Sequence, residues 1–413
     1  MEVKSGYKQT DVGVIPEDWA LASLIDWCDY ADYRGKTPPK TQSGTILITA
    51  RNVRQGFIDY EESQEYVATE QYDLIMRRGK PRIGDVIITT EAPVGNVAQL
   101  DREDIALAQR IIKYRPKRAD LSATYLKYCL LSHAFQDTLV RNASGSTAAG
   151  IKGSVLHQLP IAIPKLKEQE AIAEALGDAD AFIYSLDQLI IKKRRIRQAA
   201  VQGLLTGKTR LPGFTEDWEE KRLGDLGSFL KGSGVTKDES VSGDLACVRY
   251  GELYTRHNDY IRAFHSWISH DVAATATPLK EGDILFAGSG ETKDEIGKCA
   301  AFVGDVEAYA GGDIVILRSR EADPLFLGYY LNTEFINRQK ASRGQGDAVV
   351  HISAAALAEI QGIFPSVPEQ SAISAVLSDM DVEIDALEEK VAKARQVKQG
   401  MMQELLTGRI RLV

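Results

Sequence analysis

The side chains that usually carry covalent chemistry do not stand at working spacings in this chain. Gly203-Leu204-Leu205-Thr206-Gly207-Lys208-Thr209 comes near a phosphate loop. Three residues separate its glycines where four are needed for the backbone amides to wrap a phosphate. Gly35-Lys36-Thr37 has Tyr30 where the upstream glycine belongs. Asp323-Pro324-Leu325-Phe326 lacks the second proline of the Asn-Pro-Pro-aromatic motif for amino-methyl transfer, and no His-Glu-x-x-His pair occurs. The six histidines show no ligand spacing, and Cys28, Cys129, Cys247 and Cys299 are scattered. The cysteines read as reduced, mostly buried thiols, with no zinc site. No catalytic residue and no metal ligand is expected.

What remains is hydrogen-bonding chemistry. Arg and Asn can pair with guanine and adenine edges, while Lys, Ser and Thr more often hold phosphates. In the first part of the chain the candidates are Arg34, Lys36 and Lys40 around Pro38-Pro39, then Arg51, Asn52 and Arg54. A basic cluster follows at Arg77, Arg78, Lys80 and Arg82. In the second part they are Lys231, Ser233, Lys237, Arg249, Tyr250, Arg256, His257 and Asn258. Lys293, Lys298, Arg343 and Gln345 stand in later loops. The formal net charge of −8 is unfavourable for gripping phosphates. By segment it is 0 over residues 1–163, +3 over 164–211, −9 over 212–364 and −2 over 365–413, which sum to −8. Any DNA contact must therefore come from local loops, with a partner supplying further cations.

These loops are positioned by a duplicated frame. Pro164 to Leu211 aligns without a gap to Pro365 to Leu412, 201 positions later, and 20 of the 48 positions are identical. Glu168-Gln169 recurs as Glu369-Gln370, and Leu204 to Gly207 as Leu405 to Gly408. Apolar residues recur at alternating steps of four and three: Ile172, Leu176, Ala179, Ile183, Leu186 and Ile190, matched by Ile373, Leu377, Met380, Ile384, Leu387 and Val391. That spacing keeps one apolar seam on a helix, as in a coiled coil. No proline interrupts either segment after its first few residues, and Gly207 and Gly408 fit left-handed stops. A basic run, Lys192-Lys193-Arg194-Arg195 with Arg197, marks the middle of the first helix, facing solvent, spacer DNA or an acidic partner surface.

Each helix follows a stretch of mixed character. Strand-type runs stand at Thr45–Thr49, Asp85–Thr90, Ile105–Tyr114, Ala246–Tyr250, Asp283–Ala287 and Ile314–Leu317. Helical stretches are expected near Ala123–Val140 and Pro324–Lys340. Glu17-Asp18-Trp19 recurs as Glu216-Asp217-Trp218, and Gly84-Asp85 as Gly282-Asp283. The expected fold class is α/β. Its parts are two α/β domains at 1–163 and 212–364, with helical spacers at 164–211 and 365–413, in a pseudo-two-fold internal repeat. No run of 18 apolar residues and no signal-type N-terminal segment is present, so a cytoplasmic protein with no membrane partner is expected.

This order of features resembles the specificity subunit of type I restriction–modification systems. The residues that carry the resemblance begin with Tyr7 to Trp19. They continue through Gly145-Ser146-Thr147, Gly150-Ile151-Lys152, Leu156 and Ile161 to Pro164, and end with the bracketing Glu168-Gln169 and Leu204 to Gly207. The second half departs from it at Gly344-Gln345-Gly346-Asp347, where the first has its Ser-Thr loop. The resemblance implies a non-catalytic DNA reader with two target recognition domains separated by two long antiparallel coiled-coil helices. It implies a bipartite asymmetric target on double-stranded DNA, two methyltransferase (modification) subunits acting on adenine, and restriction or translocase subunits. This chain would hold no cofactor; S-adenosylmethionine would belong to the methyltransferase partner, and ATP with magnesium to the restriction partner. Helices of about 58 Å would cap the distance between domain centres at about 17 base pairs. Two other readings stay open on the residues: a nuclease with a concealed carboxylate site, and a coiled-coil scaffold that binds only proteins.

Overall fold

The computed structural model describes residues 5–35, 37–144, 149–346 and 349–412. The chain forms two compact units, residues 1–188 with 389–413, and residues 189–388.

Unit 1 is built on seven principal strands: β1 (Cys28–Asp32), β2 (Thr45–Ile48), β3 (Tyr66–Val67), β4 (Val86–Thr90), β5 (Val94–Gln99), β6 (Ile105–Leu107) and β7 (Ile111–Pro116). Four form an antiparallel sheet in the order β1-β7-β4-β5, and three form a sheet in the order β3-β2-β6 with β2 and β6 parallel. All five residues of β4 are buried because both faces are covered. Val86 and Ile88 face a core containing Tyr125, Leu126 and Tyr128, while Ile87 faces the smaller sheet through Leu47, Ile105 and Leu107.

Unit 2 repeats this plan with β8 (Gly227–Lys231), β9 (Leu245–Val248), β10 (Ser266–Ile268), β11 (Thr277–Pro278), β12 (Asp283–Ala287), β13 (Cys299–Ala301), β14 (Ala308–Ala310) and β15 (Ile314–Ser319). The sheet orders are β8-β15-β12-β13 and β10-β9-β14-β11, again with the central pair β9 and β14 parallel. Matched registers make Asp32 equivalent to Lys231 and Ile48 to Val248.

The expected run Ile105–Tyr114 divides into two strands because its ends serve different sheets, and Ala108-Gln109-Arg110 makes the crossing. The expected helices also divide. Ala123–Leu131 and His133–Asn142 are separated at Ser132, whose Oγ accepts from the Phe135 amide and so opens a new helix. Pro324–Tyr330 and Glu334–Arg343 are separated in the same place of unit 2.

The long helices are Leu166–Leu204 and Val367–Leu405, 39 residues each. In unit 1 the pairs Asp180–Lys398 (2.5 Å) and Asp187–Arg395 (3.0 Å) join them, and in unit 2 Arg194–Glu388 (2.7 Å) and Arg197–Asp381 do so. Partner numbers rise on one helix as they fall on the other, so the packing is antiparallel within each unit. Every aspartate, lysine and arginine here has its equivalent 201 positions away, apart from the conservative Asp187/Glu388 and Arg197/Lys398 exchanges. Within the basic run, Arg194, Arg197 and Lys193, the last bonded to Glu383 (2.6 Å), meet acidic side chains of the other helix, while Lys192 and Arg195 are exposed. Of the seam residues, Ile172, Leu176, Leu186, Ile190, Ile373, Leu377, Ile384 and Val391 are buried, while Ile183 and Leu387 are half-buried. Ile172 and Leu176 join the globular core of unit 1, as Ile373 and Leu377 join that of unit 2.

Gly207 and Gly408 end the helices at φ of +69° and +68°, the left-handed conformation that glycine adopts without strain. Gly408 is also crowded: a Cβ there would lie 2.4 Å from Pro16 Cγ.

Lys340 is the largest departure from an apolar interior. It is fully buried where unit 1 has Leu139, and its Nζ donates to the carbonyls of Gly297 (2.8 Å) and Leu331 (2.9 Å), with no carboxylate partner among the described residues. Burial holds its pKa below the ordinary lysine value. The unfolded chain therefore binds this proton more tightly, and the penalty is full below the folded pKa and gone above the unfolded one. Relative to a Lys340→Met variant, the native chain should gain stability as pH rises through that window. Urea midpoints across the alkaline range check this; a gap independent of pH would contradict it.

Candidate nucleic-acid interface

The loops that leave the parallel strand pairs carry exposed cations, among them Arg51, Arg110, Arg256 and Arg262. In unit 1, Arg51 lies on the surface and makes no ion pair or hydrogen bond with the described residues. Arg54 pairs with Glu62 (2.9 Å) beside Phe57, which is 59% exposed, and Lys40 pairs with Glu65 (2.7 Å). Arg77, Arg78, Lys80 and Arg82 are exposed: the Arg77 and Arg82 guanidinium groups make no ion pair or hydrogen bond with the described residues, whereas Lys80 pairs with Asp73 (2.5 Å). Arg34 lies bidentate on Asp32, which raises its pKa, and Arg78 donates to the carbonyls of Asp32 (2.6 Å) and Arg34. Arg34, Arg77 and Arg78 come together with Pro38, Pro39 and Gln109 around a groove of about 440 Å³. Lys36 lies outside the described residues.

Gln109 was not among the candidates. It stands in the crossing between β6 and β7, which the sequence reading merged into one strand, and its amide can both donate to and accept from an adenine edge. Its signal was there: a polar Gln-Arg pair inside an otherwise apolar run.

In unit 2, Lys231, Lys237, Tyr250, Arg256, Asn258 and Lys293 are exposed, and Arg249 is half-buried. Ser233 is exposed and bonded to the Thr275 carbonyl (2.7 Å). Lys298 reaches the Tyr254 carbonyl (3.3 Å). Arg343 donates to the carbonyls of Gln339 and Glu359, and Gln345 pairs through its backbone with His351.

Two candidates need correction. Asn52 is fully buried and His257 is 2% exposed, so neither side chain presents itself to a ligand. Asn52 is spent on backbone and Thr49 hydroxyl bonds. His257 Nε2 has no partner among the described residues, and burial lowers its pKa.

Matched positions differ in charge. Asp32 and Arg34 stand where unit 2 has Lys231 and Ser233, and Gln109-Arg110 where it has Gly312-Asp313. The two loop sets thus present dissimilar hydrogen-bonding edges on one frame. Among the described residues no group of three or more His, Cys, Asp or Glu could hold a metal, and no helix is long and apolar enough to cross a membrane. The four cysteines are free and buried, with Cys28 and Cys129 pushed up to about 12 by burial.

Comparison with known proteins agrees with this geometry. The family model for the type I restriction modification DNA specificity domain matches twice, over residues 16–193 and 215–396. The type I restriction enzyme MjaVIII specificity subunit of Methanocaldococcus jannaschii is 21% identical, covering 96% of this chain and 94% of that one. The StySPI specificity subunit of Salmonella potsdam is 22% identical over 92% and 90%. In fold the chain is similar to the crystal structure of a type I restriction-modification system S subunit from M. genitalium. The TM-score is 0.61, at 14% identity over 98% of each chain. It is also similar to a chain in a structure of type I system assembly, at a TM-score of 0.55, 16% identity, and 96% and 99% coverage. The chain belongs to the type I restriction-modification DNA specificity family, whose members recognise DNA and leave catalysis to other subunits.

Proposed function

We propose that this chain reads a bipartite, asymmetric DNA target, one half-site per unit, and directs adenine methylation by two methyltransferase subunits. Restriction or translocase subunits would join the same assembly. The observation that carries this reading is one frame, used twice, with different loop residues at matched positions. Identical loops would favour a palindrome, as in symmetric dimers; Arg34 against Ser233 and Arg110 against Asp313 favour two unlike half-sites. The net charge of −9 over residues 212–364 calls for cations from a partner, which fits assembly with methyltransferase subunits. The long helices, about 58 Å each, would limit the spacing between half-sites.

A map of methylated adenines, in cells expressing this chain with its methyltransferase partner, tests the proposal. The expected result is a motif of two dissimilar short sequences at fixed separation. In the same map Arg51→Ala should relax one half-site by about tenfold, as losing a base-edge contact worth 1–3 kcal/mol would do. A contiguous or palindromic motif would contradict the split reading.

A further inference from the structure

The exposed loop residues are held from beneath by a buried polar side chain in each unit. Asn52 and Glu252 occupy the same position, four residues beyond Ile48 and Val248 at the ends of β2 and β9. Both are buried, at 0% and 9% exposure. One arm of each accepts a backbone amide at the loop's start: Asn52 Oδ1 from Thr49 N (2.9 Å), and Glu252 Oε2 from Arg249 N (3.1 Å). The other arm ties down the loop's far end. Asn52 Nδ2 donates to the carbonyls of Asp59 (2.9 Å) and Ser63 (3.0 Å), and Glu252 Oε1 accepts from the Ser266 hydroxyl (2.5 Å). The Asn52 carbonyl also accepts from Asp59 N (2.8 Å), and the Glu252 carbonyl from Arg256 N (2.8 Å).

We infer that Asn52 and Glu252 are positioning residues that set the sequence readout of loops 49–63 and 249–266, an inference that rests on the DNA-reading function proposed above. The chemistry of each side chain follows from what its second arm meets. In unit 1 that arm faces two carbonyls, so it must donate, and an amide fits. In unit 2 it faces a hydroxyl, so a carboxylate fits. Neither touches a ligand. Each fixes the backbone from which Arg51 and Arg54, or Tyr250 and Arg256, project outward, and a base-edge contact tolerates little displacement.

The test uses the full chain in complex with its methyltransferase partner and reads methylation across a library of randomised half-sites. Asn52→Asp keeps the acceptor for Thr49 N but sets a carboxylate oxygen against two carbonyls. It should lower base discrimination at one half-site about tenfold and leave the other half-site unchanged. Glu252→Leu should do the same at the opposite half-site. Glu252→Gln should restore discrimination, because the Ser266 hydroxyl can turn to accept from the new amide. Ser266→Ala, which deletes only the far tie, supplies the readout if Glu252→Leu does not fold. Unchanged preference in these variants, or uniform loss of methylation with preference intact, overturns the inference. A native complex that shows no split motif overturns instead the reading on which it rests.

Discussion

Arg411→Ala is expected to destabilise unit 1 by about 3 kcal/mol and to leave unit 2 unmoved. Glu168 is only 3% exposed. Its carboxylate accepts from Arg411 Nε (2.5 Å) and Nη2 (2.9 Å) and from the Trp19 indole (3.2 Å). Asp18 takes the remaining Arg411 donors at 2.8–3.0 Å. Without the guanidinium, a buried carboxylate keeps one neutral donor, and the desolvation it paid on folding is no longer offset. Arg411 itself is 27% exposed, so water partly replaces it, which holds the loss near the low end for broken buried pairs. The location of the effect is the sharper part of the prediction. Arg411 belongs to the second repeat yet clamps Glu168 of the first. Arg210 of the first repeat clamps Glu369 of the second, at 2.6 and 2.8 Å beneath Trp218. Arg210→Ala should therefore weaken unit 2. Hydrogen exchange resolved by peptide would report both; loss of protection in the other unit would refute the exchange of clamps.

This reciprocity explains why the duplication was so legible. Leu204, Leu205 and Arg210, with their copies, are among the identical positions and complete a cluster in the other repeat's unit, where the equally repeated Glu369 or Glu168 receives the arginine. Identity at Arg210 and Arg411 was visible in the alignment. What it did was not, because partners 243 and 159 residues apart leave no local periodicity. The long helices were readable from their seam spacing, which is a local property. The strand and helix breaks were less so: whether 105–114 is one strand or two depends on which sheet each end joins, and that is decided by tertiary packing.

The candidate interface was legible by residue type but not by exposure. Arg51 and Arg77 are exposed cations with no ion pair among the described residues. Asn52, one residue on, has equally good chemistry for an adenine edge and spends it inside. Sequence cannot separate these two, because an asparagine that closes a loop and one that reads a base need the same donors and acceptor.

Arg318→Ala should cost unit 2 about 3 kcal/mol, whereas Arg115→Ala should cost unit 1 only about half as much. Both arginines lock an equivalent aspartate that follows a glycine at φ near +90°. Asp283 is wholly buried, and Arg318 binds it through Nε (2.8 Å) and Nη2 (2.7 Å). Once that cation is removed, only the Lys280 amide (2.8 Å) among the described residues still donates to the charge. Asp85 has the same arginine bonds, at 2.6 and 2.7 Å, but Lys113 also stands 3.3 Å away at the position Ile316 fills in unit 2. Lys113 is itself buried, and desolvation draws its pKa down, the first of several opposing influences that include attraction to Asp85. Arg115 is a like charge that also draws it down, so removing Arg115 favours a charged Lys113 beside Asp85, an option closed to Asp283. The decisive comparison is Lys113→Ile combined with Arg115→Ala. That pair recreates the environment of an orphaned Asp283, and its loss in urea titration should approach that of Arg318→Ala. If the combined variant instead unfolds no earlier than Arg115→Ala alone, Lys113 is not the compensating charge.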